Sequence, residues 1–192
     1  MKTVQMTAAE VRERTARFDN LQAMSTLKDN PVVPQAAKDI FLARKIMPIV
    51  LEQTQNAFGN AAAIFGAAGL TMNISVCPPG QGPGLHAHHR TFETFIVLDG
   101  TFEFTVNDAG DQKVVLDRWD TFSVPPGVCR AFRNVGDREG TMLTVITGGV
   151  HDRNDISLPP SIGAAIDAYG PGVLDDVKKI GLTFDAGIET AA

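Results

Sequence analysis

The chain has 192 residues, 44% of them hydrophobic and 20% charged, and a formal net charge of −5. That is enough for one domain with a sizeable core, since a chain of this size buries roughly 70% of its unfolded surface. The acidic balance, without any Lys/Arg cluster, excludes a general affinity for nucleic acid. The longest small-apolar stretch, Ala61 to Gly69, falls well short of the roughly 20 residues a membrane span needs. Met1, Lys2, Thr3, Val4 and Gln5 carry no signal-peptide run, so a cytoplasmic protein is expected. Cys77 and Cys129 make no disulfide framework and read as reduced, small, half-buried residues.

In chain order, the first 30 residues read as helical. Thr7 and Glu10 form a capping-box pattern, and Val11, Phe18 and Leu21 are spaced for one apolar face. Asn30 to Pro34 ends that unit. A helix over Gln35 to about Ala43 and an extended piece over Ile46 to Leu51 follow, with Pro48 marking the latter as an edge strand or arm. From Leu70 the period changes to two. Leu70, Met72, Ile74 and Val76 alternate with Thr71, Asn73, Ser75 and Cys77, which predicts a strand with one buried face. Further strands are predicted around Thr91–Leu98, Thr101–Val106, Lys113–Leu116, Thr121–Val124, Arg130–Asn134 and Thr141–Thr147, punctuated by Gly, Pro, Asn and Asp turns. Evenly spaced short strands of this kind indicate an antiparallel sandwich or barrel. After Asp155 the pattern is helical again, with Ser161 as a candidate cap and Gly170 as a stop. The chain divides into an N-terminal extension at 1–58 packed on the barrel, a barrel at 59–150 and a helical tail at 151–192.

Three of the four histidines fall within four residues, His86, His88 and His89. In a strand His86 and His88 project to one face, and Glu93 follows on the next strand-like run. Two imidazoles and a carboxylate on one face suit a divalent first-row metal. Left with open positions, they form the set used by non-haem Fe(II) oxygenases. An isolated His-x-His pair is also a common incidental surface feature. His89 is out of phase with the other two and reads as a surface or supporting residue, and His151 as a surface or capping one. Cys129 is expected on the opposite face of its strand from Arg130.

The surrounding spacing is more specific. Gly80, His86, His88, Glu93 and Gly100 stand at every fixed position of G-x5-H-x-H-x4-E-x6-G, the first cupin motif. Pro125, Gly127 and Asn134 fit the P-x-G-x2-H-x3-N part of the second. Over roughly residues 69–150 the chain resembles a single-domain cupin. The resemblance implies an all-β, cupin-type antiparallel jelly-roll barrel with helical N- and C-terminal extensions, a metal on His86, His88 and Glu93, and a homodimer. Two positions depart from the pattern. Trp119 stands where the second motif has its glycine, and Arg130 stands in place of its histidine, the remaining protein ligand of the family. A guanidinium offers no lone pair and cannot take over ligation. Two readings of Arg130 follow: it clamps a substrate anion beside the metal, or it pairs with Glu93 and leaves the metal weak or absent.

Strand alternation offers Phe95, Phe104, Phe122, Phe132 and Met142 as walls of a substrate pocket. The single tyrosine, Tyr169, lies in the tail, and Lys113, which follows a turn, is expected to be exposed. No phosphate loop or activated nucleophile is evident, so a metal would supply most of any catalysis. The reading is a metal-dependent cupin enzyme of Fe(II) dioxygenase type. It would act on a small carbonyl, phenolic or carboxylate compound, with Mn, Ni or Zn as variants for isomerase or decarboxylase chemistry. The alternative is a non-catalytic cupin that binds a small molecule. Neither reading involves nucleic acid or a membrane.

Overall fold

The computed structural model describes residues 5–24, 27, 30–52, 61–67, 69–149 and 154–188. At the start, Thr7 Oγ1 accepts from Glu10 N and the Glu10 carboxylate accepts from Thr7 N, and this reciprocal cap opens α1 (Ala8–Glu13). The helix stops there, and a single 3-10 turn follows at Phe18–Asn20. The long amphipathic helix expected over the first 30 residues is therefore not formed. Val11 and Phe18 are about half exposed, so no packing pays the nucleation cost that a short helix cannot meet alone. Pro34 leads into α2 (Gln35–Phe41), which buries Ala37 and Phe41.

Nine strands of the barrel then follow, numbered β1 (Lys45–Leu51), β2 (Ile64–Phe65), β3 (Leu70–Cys77), β4 (Ala87–His88), β5 (Phe92–Asp99), β6 (Phe102–Val106), β7 (Gln112–Leu116), β8 (Thr121–Val124) and β9 (Arg130–Asn134). The long β10 (Gly140–Thr147) and the short β11 (Ile156–Ser157) complete the set. Six strands form one sheet in the order β2-β1-β3-β10-β5-β8, faced by a three-stranded sheet β7-β6-β9, while β11 pairs with β4. This is the jelly-roll β architecture. Pro48 faces Asn73 on β3, and β2 pairs with β1 only at Val50 and Leu51, so the proline N sits where no further strand needs it.

Between the two sheets, Phe95 from β5 meets Phe104 and Phe132 at ring-centroid distances of 4.9 and 5.4 Å. Phe102, Val97 and Met142, each fully buried, complete this core. A second apolar cluster holds α2 against the C-terminal helices α3 (Pro160–Asp167) and α4 (Val173–Lys178) through Phe41, Leu158, Ile166 and Val177. α3 begins before Ser161: Pro160 occupies the first helical position, where its fixed φ and missing N–H cost nothing.

The alternation in β3 resolves differently from the one-faced strand expected. Thr71, Asn73, Ser75 and Cys77 are all at most 5% exposed, and Ile74 and Val76 are also buried. The apolar row packs outward with Met47, Leu21 and Leu143, and the polar row faces the barrel interior. Two glycines in the turns are required by geometry. Gly100 has φ +93°, and a Cβ there would stand 3.0 Å from Gly140 Cα. Gly82 lies so close to the Phe132 carbonyl that a side chain has no space. Trp119 also has a left-handed backbone, φ +76°, with its ring exposed beneath Arg118. No helix among the described residues is long and apolar enough to cross a membrane.

Candidate metal centre

His86 exchanges backbone hydrogen bonds of 3.0 and 2.9 Å with Arg130, and His88 on β4 pairs with Ile156 on β11. Being two residues apart on an extended chain, the two imidazoles share a face. Glu93 reaches the same point from β5. His86 Nε2 and His88 Nε2 each lie 3.7 Å from Glu93 Oε2, and the three ligand atoms fall within 4.8 Å of one another.

Hydrogen bonds behind the rings assign their tautomers. His86 Nδ1 lies 2.8 Å from the Gly84 carbonyl, which only accepts, so Nδ1 carries the proton and Nε2 keeps its lone pair. His88 Nδ1 lies 2.9 Å from Thr91 Oγ1 and 3.1 Å from Asp155 Oδ2. Thr91 spends its own proton on Asp155 Oδ2 at 2.6 Å, so His88 Nδ1 is again the donor. Asp155 is fully buried and also accepts from Arg90 N at 2.8 Å.

Glu93 is 7% exposed. Burial alone would raise its pKa, but its polar neighbours, led by the Arg130 guanidinium, outweigh that and hold the carboxyl below the usual range. Arg130 is fully buried. Its Nε donates to Glu93 Oε2 at 2.9 Å, and Nη1 donates to the Val128 carbonyl at 3.2 Å. Nη2 stands 2.8 Å from the same Oε2 as an ion pair, but its N–H does not point along that line. Among the described residues it is the buried side-chain nitrogen left without a hydrogen bond.

This donor set fits a divalent first-row metal. Two inward lone pairs are fixed by outer acceptors and one ionised carboxylate converges with them, which is the arrangement that orients metal-ligating histidines. The three groups border a cavity of about 100 Å³. Its apolar walls include Phe41 and Leu42 at the end of α2, Ile46 from β1, and Ile156, Leu158 and Leu182 from the C-terminal segment. Asn73, Ser75 and Thr144 supply a polar floor from β3 and β10.

Residues 73–146 match the family described as Cupin domain. The chain is also 33% identical over 150 residues to a germin-like protein of Mesembryanthemum crystallinum, covering 69% of this chain and 59% of that protein. This chain belongs to the cupin superfamily. It spans less than two thirds of the germin-like relative. Solved structures similar to it include the Schizosaccharomyces pombe Cnp3 cupin domain, at 18% identity and TM-score 0.40, covering 43% of this chain and 58% of that one. A Cupin 2 conserved barrel domain protein from Salinispora arenicola is similar at 21% identity and TM-score 0.42, covering 55% and 76%.

In this cupin His86, His88 and Glu93 come together, and Arg130 takes the second of its two arrangements. It lies behind Glu93, paired with it, and is not among the cavity walls, so its cation is directed at the protein's own carboxylate rather than at an entering anion. Of the five residues expected to wall the pocket, Phe132 does so. Phe95, Phe104 and Met142 fill the space between the sheets, and Phe122 packs on them with its ring 5.4 Å from Phe104. Aromatic rings that size close their end of the barrel against one another, and the cavity opens at the other end, under α2 and the C-terminal segment. His89 is exposed, and His151 lies outside the described residues. Cys77 and Cys129 are free buried thiols in separate apolar clusters, the latter beside Leu85 and Ala87.

The sequence reading missed Asn73, Ser75, Thr144 and Asp155. The first three were visible only as the polar half of alternating strands. Nothing local marks Asp155, whose role depends on β11 returning to β4.

Proposed function

We propose that this cupin is a metal-dependent oxidoreductase of dioxygenase type, holding Fe(II) on His86, His88 and Glu93 and acting on a small carbonyl, phenolic or carboxylate compound. The observation that carries this reading is the convergence of two tautomer-fixed Nε2 atoms and an ionised carboxylate at the border of an apolar cavity. Bound there, Fe(II) supplies electron transfer with dioxygen and Lewis acidity toward a substrate oxygen. The chain's own residues do the rest. Gly84 and Asp155 hold the imidazoles, Arg130 keeps Glu93 ionised, and the apolar walls exclude bulk water. We further propose a homodimer, supported by the half-buried Ile49, Leu98 and Leu143 on the outer face of the large sheet, and measurable by light scattering.

One observation favours a second reading. Arg130 adds a positive charge at the oxygen a dication would share, which raises the cost of binding it. A cupin that binds a small molecule without metal follows from that. Metal analysis of protein purified without chelator decides between the two. Near-stoichiometric metal in the parent, lost in His86→Ala, supports the oxidoreductase. Negligible metal in the parent, recovered in Arg130→His, overturns it in favour of ligand binding.

A further inference from the structure

Asn73 and Thr144 are cross-strand partners on β3 and β10, and Ser75 stands two residues along from Asn73. Residues two apart on a strand share a face. All three line the cavity, with Asn73 at 3%, Ser75 at 5% and Thr144 at 2% exposure. The one side-chain hydrogen bond among them in the described residues is a long contact of 3.5 Å between Ser75 Oγ and Asn73 Oδ1. The protein leaves most of their hydrogen-bonding capacity open to the cavity, so an occupant with a matching polar group can complete it.

The charge around them is as informative. Among the described residues no Lys or Arg lines the cavity, and Glu93 is its single carboxylate. The nearby cation, Arg130, is directed at that carboxylate from behind. Thr144 lies two residues from Ile146, the cross-strand partner of Glu93, which is about 7 Å along the strand. A ring-sized molecule spans that distance, and comparably small apolar cavities hold one aromatic ring.

We propose that the cavity takes a compact neutral molecule with an apolar body, whose hydroxyl or carbonyl oxygen is read by Asn73, Ser75 and Thr144. A carboxylate at that end is rejected, because it meets no cation and loses its hydration. The proposal deepens the functional reading by choosing phenolic and carbonyl compounds over carboxylates. It rests on the cavity as the ligand site and not on the metal.

The test measures binding to chelator-treated protein by calorimetry, with phenol and cyclohexanone against benzoate and cyclohexanecarboxylate. The neutral pair is expected to bind at least about 10-fold more tightly than the acids. Thr144→Val and Asn73→Leu should each weaken the neutral ligands by about 3- to 10-fold, the worth of one neutral hydrogen bond. Trp119→Gly, at an exposed turn outside the cavity lining, should leave them unchanged. Thr144→Val preserves side-chain shape and serves if Asn73→Leu does not fold. Equal or tighter binding of the acids, no binding of the neutral pair, or indifference to both floor substitutions overturns the proposal. Neutral preference in a protein that never takes up metal overturns the oxidoreductase reading alone, while metal uptake without that preference overturns only this one.

Discussion

Asp155 Oδ2 stands 3.1 Å from His88 Nδ1, across 67 residues of chain, and both side chains are withdrawn from solvent. The carboxylate comes from beyond the matched cupin residues and fixes the ring that the motif supplies. Such outer partners typically contribute 10- to 100-fold in metal affinity. Asp155→Asn should therefore weaken metal binding by about that factor, with the far-ultraviolet circular dichroism of the metal-free protein unchanged. An affinity within twofold of the parent, by competition with a chromophoric chelator, would show that Asp155 does not position His88.

Arg130 and Glu93 form a buried pair, so removing one partner strands the other. Arg130→Ala should cost about 3–5 kcal/mol in chemical denaturation. Arg130→His should also lower the melting temperature of the metal-free protein. It should show a larger rise on adding metal than the parent does, because metal bound only by the folded state stabilises it. An equal rise in both proteins would mean that position 130 does not face the metal.

Trp119 is the residue for which loss of a large aromatic should be harmless. A left-handed backbone costs an L-residue roughly 1–2 kcal/mol, and the exposed ring returns little beyond its contact with Arg118. Trp119→Gly relieves that strain and adds unfolded-state entropy of roughly 0.4–1 kcal/mol. Its stability should fall within about 1 kcal/mol of the parent, on the stabilising side. A loss above about 2 kcal/mol, in the range of core aromatic truncations, would contradict this.

Burial raises the thiols of Cys77 and Cys129 to about 12, and for Cys129 the carboxylate of Asp108 adds to the effect. A folded pKa above the unfolded value of about 8.5 means that the folded chain keeps its protons longer. The contribution is fully present below about pH 8.5 and is lost as pH climbs from there toward 12. Stability should fall across that window, less so in a Cys77→Ala, Cys129→Ala variant. In the native protein at pH 8 both thiols should resist a soluble disulfide reagent, reacting only at the rate of unfolding.

The strands were legible because their burial is periodic. β3, β8 and β9 coincide with the predicted runs, and β5, β6, β7 and β10 begin or end within one residue of them. His86, His88 and Glu93 were legible because ligands on adjacent extended segments keep a fixed spacing. What the pattern hides is which face of a strand looks inward. In β3 both rows are buried, and the polar row of Asn73 and Ser75 forms the cavity floor that an apolar-inward rule assigns to solvent. The phenylalanines misled for a related reason: alternation puts Phe95 and Phe104 inside, but not whether they line space or fill it. The short β11 carries too few residues for any period, so the return of Asp155 to His88 exists only in three dimensions.

β10, nearly the last strand in sequence, pairs along its whole length with β3 on one side and along most of it with β5 on the other. A nascent chain halted before residue 140 would hold two unsealed edges, with nothing between them to carry the ladder across. Cavity walls at Leu158 and Leu182 emerge later still. The protein therefore has no stepwise route to a partial site during synthesis. Its barrel waits for an internal keystone, and the interval before that strand arrives is when the chain most needs protection from pairing with a neighbour.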